Sequence, residues 1–421
     1  MSDLRIYGNM IEPEALNQVY TLAKSDAYKD NTIRIMPDCH AGKGCTVGTT
    51  MIITDKITPN LVGVDIGCTV SAHRIELPSG IDVRSWFDGI KEKLDDVIRC
   101  HVPSGMNIRD SLKDVSRDTV KDTEGLLNTL IADVTKDRAL YSLGTLGGGN
   151  HFISLEYCDD EVFLMIHCGS RHLGVQVCKY WQNIAKRNIL CHKGDIDNLV
   201  KKLKSEGREK DIQSEIKKIK RPAISNDLAY LDKETHRKDF EGYLHDMEIC
   251  QSFAALNHQT IASVIAKYMG WGYSDEIYTM HNYIERVSKN KFYSTSEYQP
   301  DDIMYVLRKG AISAYRGEAI LIPMNMRDGS LICVGKGNTD WNCSAPHGAG
   351  RIMSRSKAKE QIDIELFAES MKGIYSTSVN MSTIDEAPMA YKPMDVIVNS
   401  IHDTAIILYQ VKPLYNFKAN S

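Results

Sequence analysis

Glycine-rich polar motifs recur along almost the entire 421-residue chain, and no other feature of the sequence constrains its fold more. They occupy residues 37–48, 63–68, 144–151, 167–174 and 344–351. The sequence shows no internal repeat or low-complexity linker between them. Glycine permits tight turns that present polar side chains at strand ends, and loops held by a rigid scaffold carry most protein sites. The spacing therefore favours one domain over residues 1–421, with a site assembled from distant loops.

Apolar, β-rich runs flank these motifs and predict strands. Residues 32–55 and 57–77 alternate such runs with glycine and aspartate turns. The runs HFISLE and EVFLMIHCG, separated by the polar turn YCDD, predict a hairpin in which His151 and His167 are neighbours across the ladder. GEAILIPM and GSLICVGKG predict two later strands, and these precede a helix near the basic segment RSKAK.

Helical periodicity is clearest over about 239–269, where apolar residues recur every three or four positions. Asn257 is the polar member of that face, so it is either a hydrogen-bonded core residue or a group turned toward a site. Residues 196–222 are highly charged and helix-prone, which predicts a helical insertion. Both a solvated helix and a basic surface that faces RNA fit this pattern.

Composition narrows the class of protein. Hydrophobic residues make up 43% of the chain and charged residues 25%, as in folded proteins rather than disordered chains. The net charge of −4 means that a nucleic-acid partner needs a locally basic surface. Because the N-terminus lacks an export signal and no run approaches the ~20 apolar residues of a membrane span, we expect a cytoplasmic protein without a membrane partner. Its eleven cysteines are then reduced thiols.

Five side chains from distant turns have the character of metal ligands. Asp65 and Cys68 lie three residues apart around a glycine, which directs a carboxylate and a thiolate to one place. His151, His167 and His281 each stand at a predicted strand boundary. This mixed set suits Zn²⁺, Mn²⁺, Ni²⁺ or Co²⁺, and it suffices for two ions if the thiolate bridges them. Taken singly, each residue fits better as an ordinary hydrogen-bonded turn residue.

His347 has a different setting, in the segment SAPHGAGR. Gly348 and Gly350 let a phosphate approach the backbone closely, and Arg351 adds positive charge. A neutral imidazole is nucleophilic at pH 7, so His347 is a candidate nucleophile on phosphorus. A phosphate-binding or helix-capping role fits the same pattern.

Many of these segments resemble, in sequence and in order, those of one known family. They are PDCHAGKG, GVDIGC, GTLGGGNHF, HCGSRHLG, DMEICQSFAALNH, HNYIE, RKGA, HGAGRIMSRSKAK, EAPMAYK and a lysine near the C-terminus. Together they resemble the RtcB family of RNA ligases, the GTP- and manganese-dependent enzymes of tRNA splicing and RNA repair, over nearly the whole chain. The resemblance implies a single α/β (α+β) domain, with mixed or antiparallel sheets flanked by helices, that acts as a monomer.

Carried over residue by residue, the resemblance implies a two-metal ligase with GTP and RNA as its partners. The metal ligands would be Asp65, Cys68, His151, His167 and His281, and Cys68 would bridge two Mn²⁺ ions. His347 would attack the α-phosphate of GTP and pass the guanylyl group to an RNA 3′-phosphate, formed where necessary by opening a 2′,3′-cyclic phosphate. A 5′-hydroxyl end would then displace GMP. The nucleotide-binding residues would be Asn150, Asn325, Ser330, His347, Gly348, Gly350, Tyr391 and Lys418, with Arg171 and Arg351 on phosphates.

Several departures from the family pattern concern the nucleotide. Ser154 stands where the family usually has a glutamate expected to contact guanine, and Glu156 follows on the same strand face. The segment PMNMRDG replaces the usual P-G-S-M-G loop, so Asn325 takes the place of a serine and Arg327 that of a glycine. Two histidines replace a glycine and an arginine, namely His172 and His258. These changes leave strict use of GTP open and predict a divergent branch with its own RNA substrate.

Two other functions fit parts of the pattern. A metal phosphoesterase that opens cyclic phosphates without joining ends would need the five metal ligands but not His347. A non-catalytic RNA-end-binding protein would need basic surfaces but no intact ligand set. The sequence favours the ligase because all six chemistry-bearing side chains occur together, and it leaves the RNA and any activating protein partner unidentified.

Overall fold

The computed structural model describes residues 2–190, 193–218 and 225–419. Its strands are β1 (Asp3–Ile6), β2 (Thr32–His40), β3 (Val47–Ile53), β4 (Lys56–Ile57), β5 (Thr69–Ile75), β6 (Phe152–Cys158), β7 (Glu161–Cys168), β8 (Leu231–Asp232), β9 (Tyr273–Met280), β10 (Asn282–Ser288), β11 (Ile303–Lys309), β12 (Ala311–Ser313), β13 (Ala319–Asn325), β14 (Gly329–Gly335), β15 (Ser344–Pro346) and β16 (Ala405–Lys418). Its α-helices are α1 (Pro13–Lys24), α2 (Pro59–Val62), α3 (Val83–Asp88), α4 (Lys91–His101), α5 (Arg117–Asn128), α6 (Lys136–Leu140), α7 (Arg171–Leu190), α8 (Lys193–Ser205), α9 (Ile212–Lys218), α10 (Arg237–Met269), α11 (Lys289–Tyr293), α12 (Arg355–Gln361), α13 (Ile364–Ser370) and α14 (Met394–Ser400).

The larger sheet has seven strands in the order β13-β14-β16-β6-β7-β5-β9, and all its neighbours are antiparallel. Its two edges meet, since the Leu321 N–H on β13 donates to Thr279 Oγ1 on β9 at 3.2 Å. Bulges between β13 and β14 and between β14 and β16 supply the bending that such a curled sheet requires. The predicted β6–β7 hairpin is confirmed, with Phe152 opposite His167.

The smaller sheet has five strands in the order β1-β2-β3-β11-β10. Strands β1 and β2 are parallel, whereas the other neighbours are antiparallel. Two-stranded pairs, β12 with β15 and β4 with β8, complete the sheet structure of the described residues. The α/β class with mixed and antiparallel sheets and surrounding helices is confirmed. Because β3 pairs with β11, chain segments about 250 residues apart share one sheet.

Helix α10 confirms the helix predicted over 239–269 and links the two sheets. Phe240 and Tyr243 in its first half belong to the apolar core that includes β2, β3 and β11. Ile261 and Ile265 in its second half belong to a core shared with β6 and β7. Each fully buried side chain of this size stabilises the fold by about 1.5–3 kcal/mol. The helix ends at Gly270, whose φ of 77° gives the left-handed cap that glycine favours.

Two predicted segments differ in detail from the structure. The run 57–77, predicted as strands and turns, contains the one-turn helix α2, because a proline in its first turn suits a helix start. The charged region 196–222 contains α9 and most of α8, while residues 219–222 lie outside the described residues. The helix expected near RSKAK is confirmed as α12, which Ser354 caps by accepting from the Lys357 N–H. None of the helices in the described part of the chain has the length and apolarity that crossing a bilayer requires.

Candidate active site

The turn between α2 and β5 presents Asp65 and Cys68 to the interior. Gly67 adopts a φ of 71° and its N–H donates to the Asn282 carbonyl at 2.8 Å. A Cβ at this glycine would lie 3.1 Å from the backbone of α10, so only glycine lets the turn rest against that helix. The Cys68 carbonyl accepts from the His281 N–H at 2.9 Å. These backbone contacts hold the turn beside His281, at the junction of β9 and β10.

Cys68 lies at the centre of the five predicted metal ligands. Its Sγ is 3.4 Å from His151 Nε2 and 3.3 Å from His167 Nε2. Asp65 Oδ2 is 3.3 Å from His151 Nε2, and the ring centroids of His167 and His281 are 5.2 Å apart. Two groups each have their ligand atoms within 4.8 Å of one another, namely Asp65–Cys68–His151 and Cys68–His167–His281. The structure thus brings all five together, with Cys68 shared by both groups.

The protonation states of His167 and His281 suit metal binding. Burial and neighbouring imidazoles lower the pKa values of His167 and His281 well below the usual range, so both rings are neutral at pH 7. The buried Nδ1 of His281 has no hydrogen-bond partner among the described residues. Burial and the Asp65 charge raise the pKa of the Cys68 thiol, and a bound cation would favour its thiolate. These side chains could therefore hold a divalent transition metal.

The glycine loop before β6 makes room for His151. A Cβ at Gly147 would lie 1.8 Å from His151 Nδ1, so any side chain there would displace the imidazole or the loop. Arg109 holds this loop by donating from Nε to the Leu143 carbonyl at 2.6 Å and from Nη2 to the Gly144 carbonyl at 2.8 Å. Burial opposes protonation of His151, but the hydrogen bond and charge of Asp65 raise its pKa to about 9.

His347 lies next to the metal-ligand cluster and is held by a residue that the sequence did not single out. Its ring centroid is 4.9 Å from that of His281. Asp38, which is fully buried, accepts through Oδ2 from His347 Nδ1 at 2.6 Å and from the His347 N–H at 3.0 Å. This arrangement leaves Nε2 of the ring with its lone pair. The motif PDCHAGKG contains Asp38, but only the folded chain reveals its partner, 309 residues away.

A cavity of about 750 Å³ joins the metal-ligand cluster to His347 and extends between β6, β16 and the turn after β15. Its wall contains seven of the eight predicted nucleotide-binding residues, namely Asn150, Asn325, His347, Gly348, Gly350, Tyr391 and Lys418. Ser330 lies fully buried on β14, behind that wall. Arg351 and Arg355 also line the cavity, so one side of it is cationic.

Lys418 connects the cavity to the metal-ligand cluster. Its Nζ donates to the Asn150 carbonyl at 3.2 Å and to Glu386 at 2.8 Å. The Asn150 carbonyl also accepts from His167 Nδ1 at 3.2 Å. This second contact fixes the tautomer of His167 and leaves its Nε2 for a metal.

Glu156 gives the cavity a buried carboxyl. Its Oε1 accepts from the Ser154 hydroxyl at 2.7 Å, whereas Oε2 has no hydrogen-bond partner within the described part of the chain. Burial raises the pKa of Glu156 to about 7. Ser154 itself is fully buried beside it, so Glu156 is the one of the pair that reaches the cavity.

Three of the residues singled out in the sequence make their hydrogen bonds to loops around the cavity. Arg327 pairs with Asp328 at 2.8 Å, and the Asn325 amide donates to the same carboxylate at 2.7 Å, so both side chains bind within the β13–β14 turn. Arg171 donates to the Gly105 carbonyl at 2.7 Å and to Thr145 at 3.0 Å. These three side chains are thereby committed to holding loops around the site.

The polar residues of α10 hold the end of β7. Asn257 accepts from the Thr145 N–H at 3.2 Å and donates to Cys168 Sγ at 3.1 Å, so it is a hydrogen-bonded core residue. His258 bonds through Nε2 to the Cys168 carbonyl at 3.0 Å and through Nδ1 to Ser71 at 2.9 Å. His172 lies in the first turn of α7 and is partly exposed.

Comparison with known proteins matches the chain to one family over most of its length. The family model described as "tRNA-splicing ligase RtcB" matches residues 18–419. RNA-splicing ligase RtcB of Escherichia coli K12 is 29% identical over 432 residues, covering 96% of this chain and 94% of that protein. tRNA-splicing ligase RtcB of Archaeoglobus fulgidus is 26% identical, covering 96% and 91%. The chain is therefore similar, at low identity, to proteins named as RNA- and tRNA-splicing ligases.

Proposed function

The chain belongs to the RtcB family of tRNA-splicing ligases, and we propose that it joins RNA ends that carry a 3′-phosphate or 2′,3′-cyclic phosphate to ends that carry a 5′-hydroxyl. The observation that supports this most is His347, held by Asp38 beside the cluster of predicted metal ligands in one cavity. We propose two Mn²⁺ ions and GTP as its cofactors. A phosphoesterase needs the metal ligands but no oriented nucleophile, so the hydrogen-bonded pair of His347 and Asp38 favours the ligase.

The donor set fits a two-metal centre. Asp65, Cys68 and His151 would hold one ion, and Cys68, His167 and His281 the other. Bound there, the two cations would neutralise the oxyanions of phosphoryl transfer and orient the reacting phosphate.

His347 supplies the nucleophile in this proposal. The lone pair of Nε2 forms a bond to the α-phosphorus of GTP while the bond to the bridging oxygen breaks, and pyrophosphate leaves. The imidazole ring becomes cationic when Nε2 bonds to phosphorus, because Nδ1 keeps its proton, and Asp38 stabilises that charge from 2.6 Å. The arginines of the cavity wall, Arg351 and Arg355, would bind the departing phosphates.

Two transfers then complete the reaction. An oxygen of the RNA 3′-phosphate attacks the guanylyl phosphorus and the bond to His347 breaks, which restores the neutral ring. The 5′-hydroxyl of the second end attacks the activated 3′-phosphate, losing its proton, and GMP leaves. Guanylylation serves this step because GMP is a far better leaving group than the oxygen of an unactivated 3′-phosphate.

All proposed metal ligands and the nucleophile come from one chain, which is consistent with the expected monomer. The oligomeric state and the need for an activating protein stay predictions.

The experiment that tests the proposal is transfer of label from α-labelled GTP to the protein in the presence of Mn²⁺. We expect acid-labile label on the wild type, as a phosphorus–nitrogen bond requires, and none on His347→Ala. Asp38→Asn should slow labelling at least about 10²-fold, because the amide cannot balance the charge of the ring. Absence of label on the wild type, or persistence of label on His347→Ala, would refute the proposed nucleophile.

A further inference from the structure

Glu386 lies behind the cavity wall, where its carboxylate binds four donors whose side chains line the cavity. It ends the short 3₁₀ helix Met381–Glu386 and is 2% exposed. Its Oε2 accepts from Lys418 Nζ at 2.8 Å and from the Tyr391 hydroxyl at 2.5 Å. Its Oε1 lies 3.2 Å from Arg351 Nη1 and 3.0 Å from Arg355 Nη1. One carboxylate therefore connects the cationic side of the cavity to Tyr391.

A cluster of buried charges contributes little net stability to a fold, because each charge loses its hydration. Glu386 and Lys418 are almost completely buried, and removing such charges from water costs several kcal/mol per ion, so well-packed apolar residues often serve stability equally well. Burial opposes ionisation of Glu386, but the charges of Lys418, Arg355 and Arg351 lower its pKa to about 2. The carboxylate thus stays ionised throughout the neutral range, and its partners keep a fixed arrangement.

The hydrogen bonds of Glu386 determine what the wall offers a ligand. A tyrosine hydroxyl has one proton, and that of Tyr391 goes to Glu386. Because Arg351 Nη1 donates to the same hydroxyl at 3.5 Å, one lone pair is left for the cavity. Lys418 has three N–H donors, of which Glu386 and the Asn150 carbonyl take two, so one is left for a ligand. Glu386 thereby fixes an acceptor beside a donor on the cavity surface.

We propose that Glu386 is a positioning residue for the nucleotide, which orients the Tyr391 hydroxyl and the Lys418 ammonium toward it from behind. The inference rests on the proposed nucleotide site. Glu386 acts through its partners, because its own side chain is not part of the cavity surface formed by Arg351, Tyr391 and Lys418.

The substitution Glu386→Gln tests this with little change in volume. An amide has one acceptor oxygen, so its NH₂ group must face either Tyr391 and Lys418 or the two arginines, and whichever pair it faces loses its acceptor and must reorient. We expect the KM for GTP in self-labelling to rise at least about tenfold, with kcat at saturating GTP within about threefold, since the reacting groups are untouched. The Kd for GMP in the presence of Mn²⁺ should rise by a similar factor.

Asp385→Asn is the matched control. Asp385 is an adjacent carboxylate, 1% exposed, that pairs with Arg355 at 3.0 Å and Lys359 at 3.7 Å. Its loss removes a neighbouring buried charge without altering the acceptor of Tyr391 and Lys418. We expect its KM for GTP to stay within about threefold of the wild type.

A second variant separates positioning from stability. Tyr391→Phe keeps the ring and deletes the hydroxyl. If Glu386 acts through that hydroxyl, the losses of GMP binding free energy in the two single variants should not add fully in the double variant. Equal nucleotide affinity of Glu386→Gln and wild type, or full additivity in the double variant, would overturn the inference.

The binding measurement also separates this inference from the proposed function. If the wild type binds GMP but takes no label from GTP, the ligase proposal fails and Glu386 is still tested through the Kd. If the wild type is labelled and the variant equals it, only the role of Glu386 fails. If the wild type binds no nucleotide, both fail.

Discussion

At the scale of single residues, the two carboxyl oxygens of Glu156 differ in their hydrogen bonding. Ser154 donates to Oε1, while the buried Oε2 has no hydrogen-bond partner in the described chain, and the residue lines the cavity. A buried polar atom left without a hydrogen bond costs about 1–3 kcal/mol, which a ligand that donates to it would recover. Guanine carries two adjacent donors on one edge, N1–H and the exocyclic amine. Glu156 is therefore our candidate for reading the base, although Ser154 stands at the family's usual position.

The substitution Glu156→Gln should reverse the polarity of this contact. Because Ser154 keeps the amide oxygen on its own side, the NH₂ group would take the place of Oε2, and a donor would replace the free acceptor that guanine requires. We expect the ratio of kcat/KM for GTP to that for ATP in self-labelling to fall at least about tenfold. Ser154→Ala, which leaves the carboxyl in place, is the control and should change that ratio less. An unchanged ratio in Glu156→Gln would show that another residue selects the base.

At the scale of elements, the loop before β6 is as constrained as the strands it precedes. Arg109 binds the carbonyls of Leu143 and Gly144, and the loop passes directly over the His151 ring at Gly147. A Cβ there cannot be accommodated unless the imidazole or the loop moves.

We predict that Gly147→Ala weakens Mn²⁺ binding at least about tenfold, since displaced metal ligands lose both geometry and affinity. The control is Gly125→Ala in α5, where a new Cβ meets nothing within 4 Å. That change should leave metal affinity unaltered and raise stability by about 0.5–1 kcal/mol through helix propensity. Isothermal titration with Mn²⁺ and urea unfolding would measure both. Normal metal affinity in Gly147→Ala would contradict the close approach to His151.

The elements themselves were largely predictable because hydrophobic periodicity is a local property. The β6–β7 hairpin and α10 follow from runs of residues adjacent in sequence, and the hairpin alone places His151 near His167. Asp38 was not predictable, because its partner His347 is 309 residues away. Glu386 was missed for a different reason, since the motif EAPMAYK shows the residue but not the three cations around it.

At the scale of the whole molecule, two buried carboxyls make opposite contributions to stability as pH changes. The pKa of Glu156 rises from 4.5 to about 7 on folding because of burial, so its contribution is complete below pH 4.5 and is lost as pH rises through 7. The pKa of Glu386 falls to about 2, despite burial, because of its cationic partners. Its contribution is present above pH 4.5 and is lost only as pH falls toward 2.

Glu156→Gln removes the first of these contributions and should therefore flatten the pH dependence of stability in the neutral range. Between pH 5 and pH 8 the wild type should lose about 2–3 kcal/mol of unfolding free energy relative to the variant. Urea unfolding of both metal-free proteins at the two pH values measures the difference. Parallel pH profiles would show that the carboxyl ionises normally in the folded protein.

The site as a whole depends on how the two sheets and their connecting turns are arranged relative to one another. Asp65 and Cys68 precede β5, His151 precedes β6, His167 ends β7, and His281 joins β9 to β10. Four of these strands are in the curled sheet, while β10 belongs to the other, so the cluster forms only when both sheets are in place. The identity of the residues was visible in the sequence, but their distances are a property of the complete fold.

The measurement that tests the account most directly is joining of two RNA strands, one with a 2′,3′-cyclic phosphate and one with a 5′-hydroxyl, in the presence of Mn²⁺ and GTP. We predict a joined product from the wild type that disappears when GTP is omitted and when His347 is replaced by alanine. Opening of the cyclic phosphate without any joined product would contradict the ligase and identify a phosphoesterase instead.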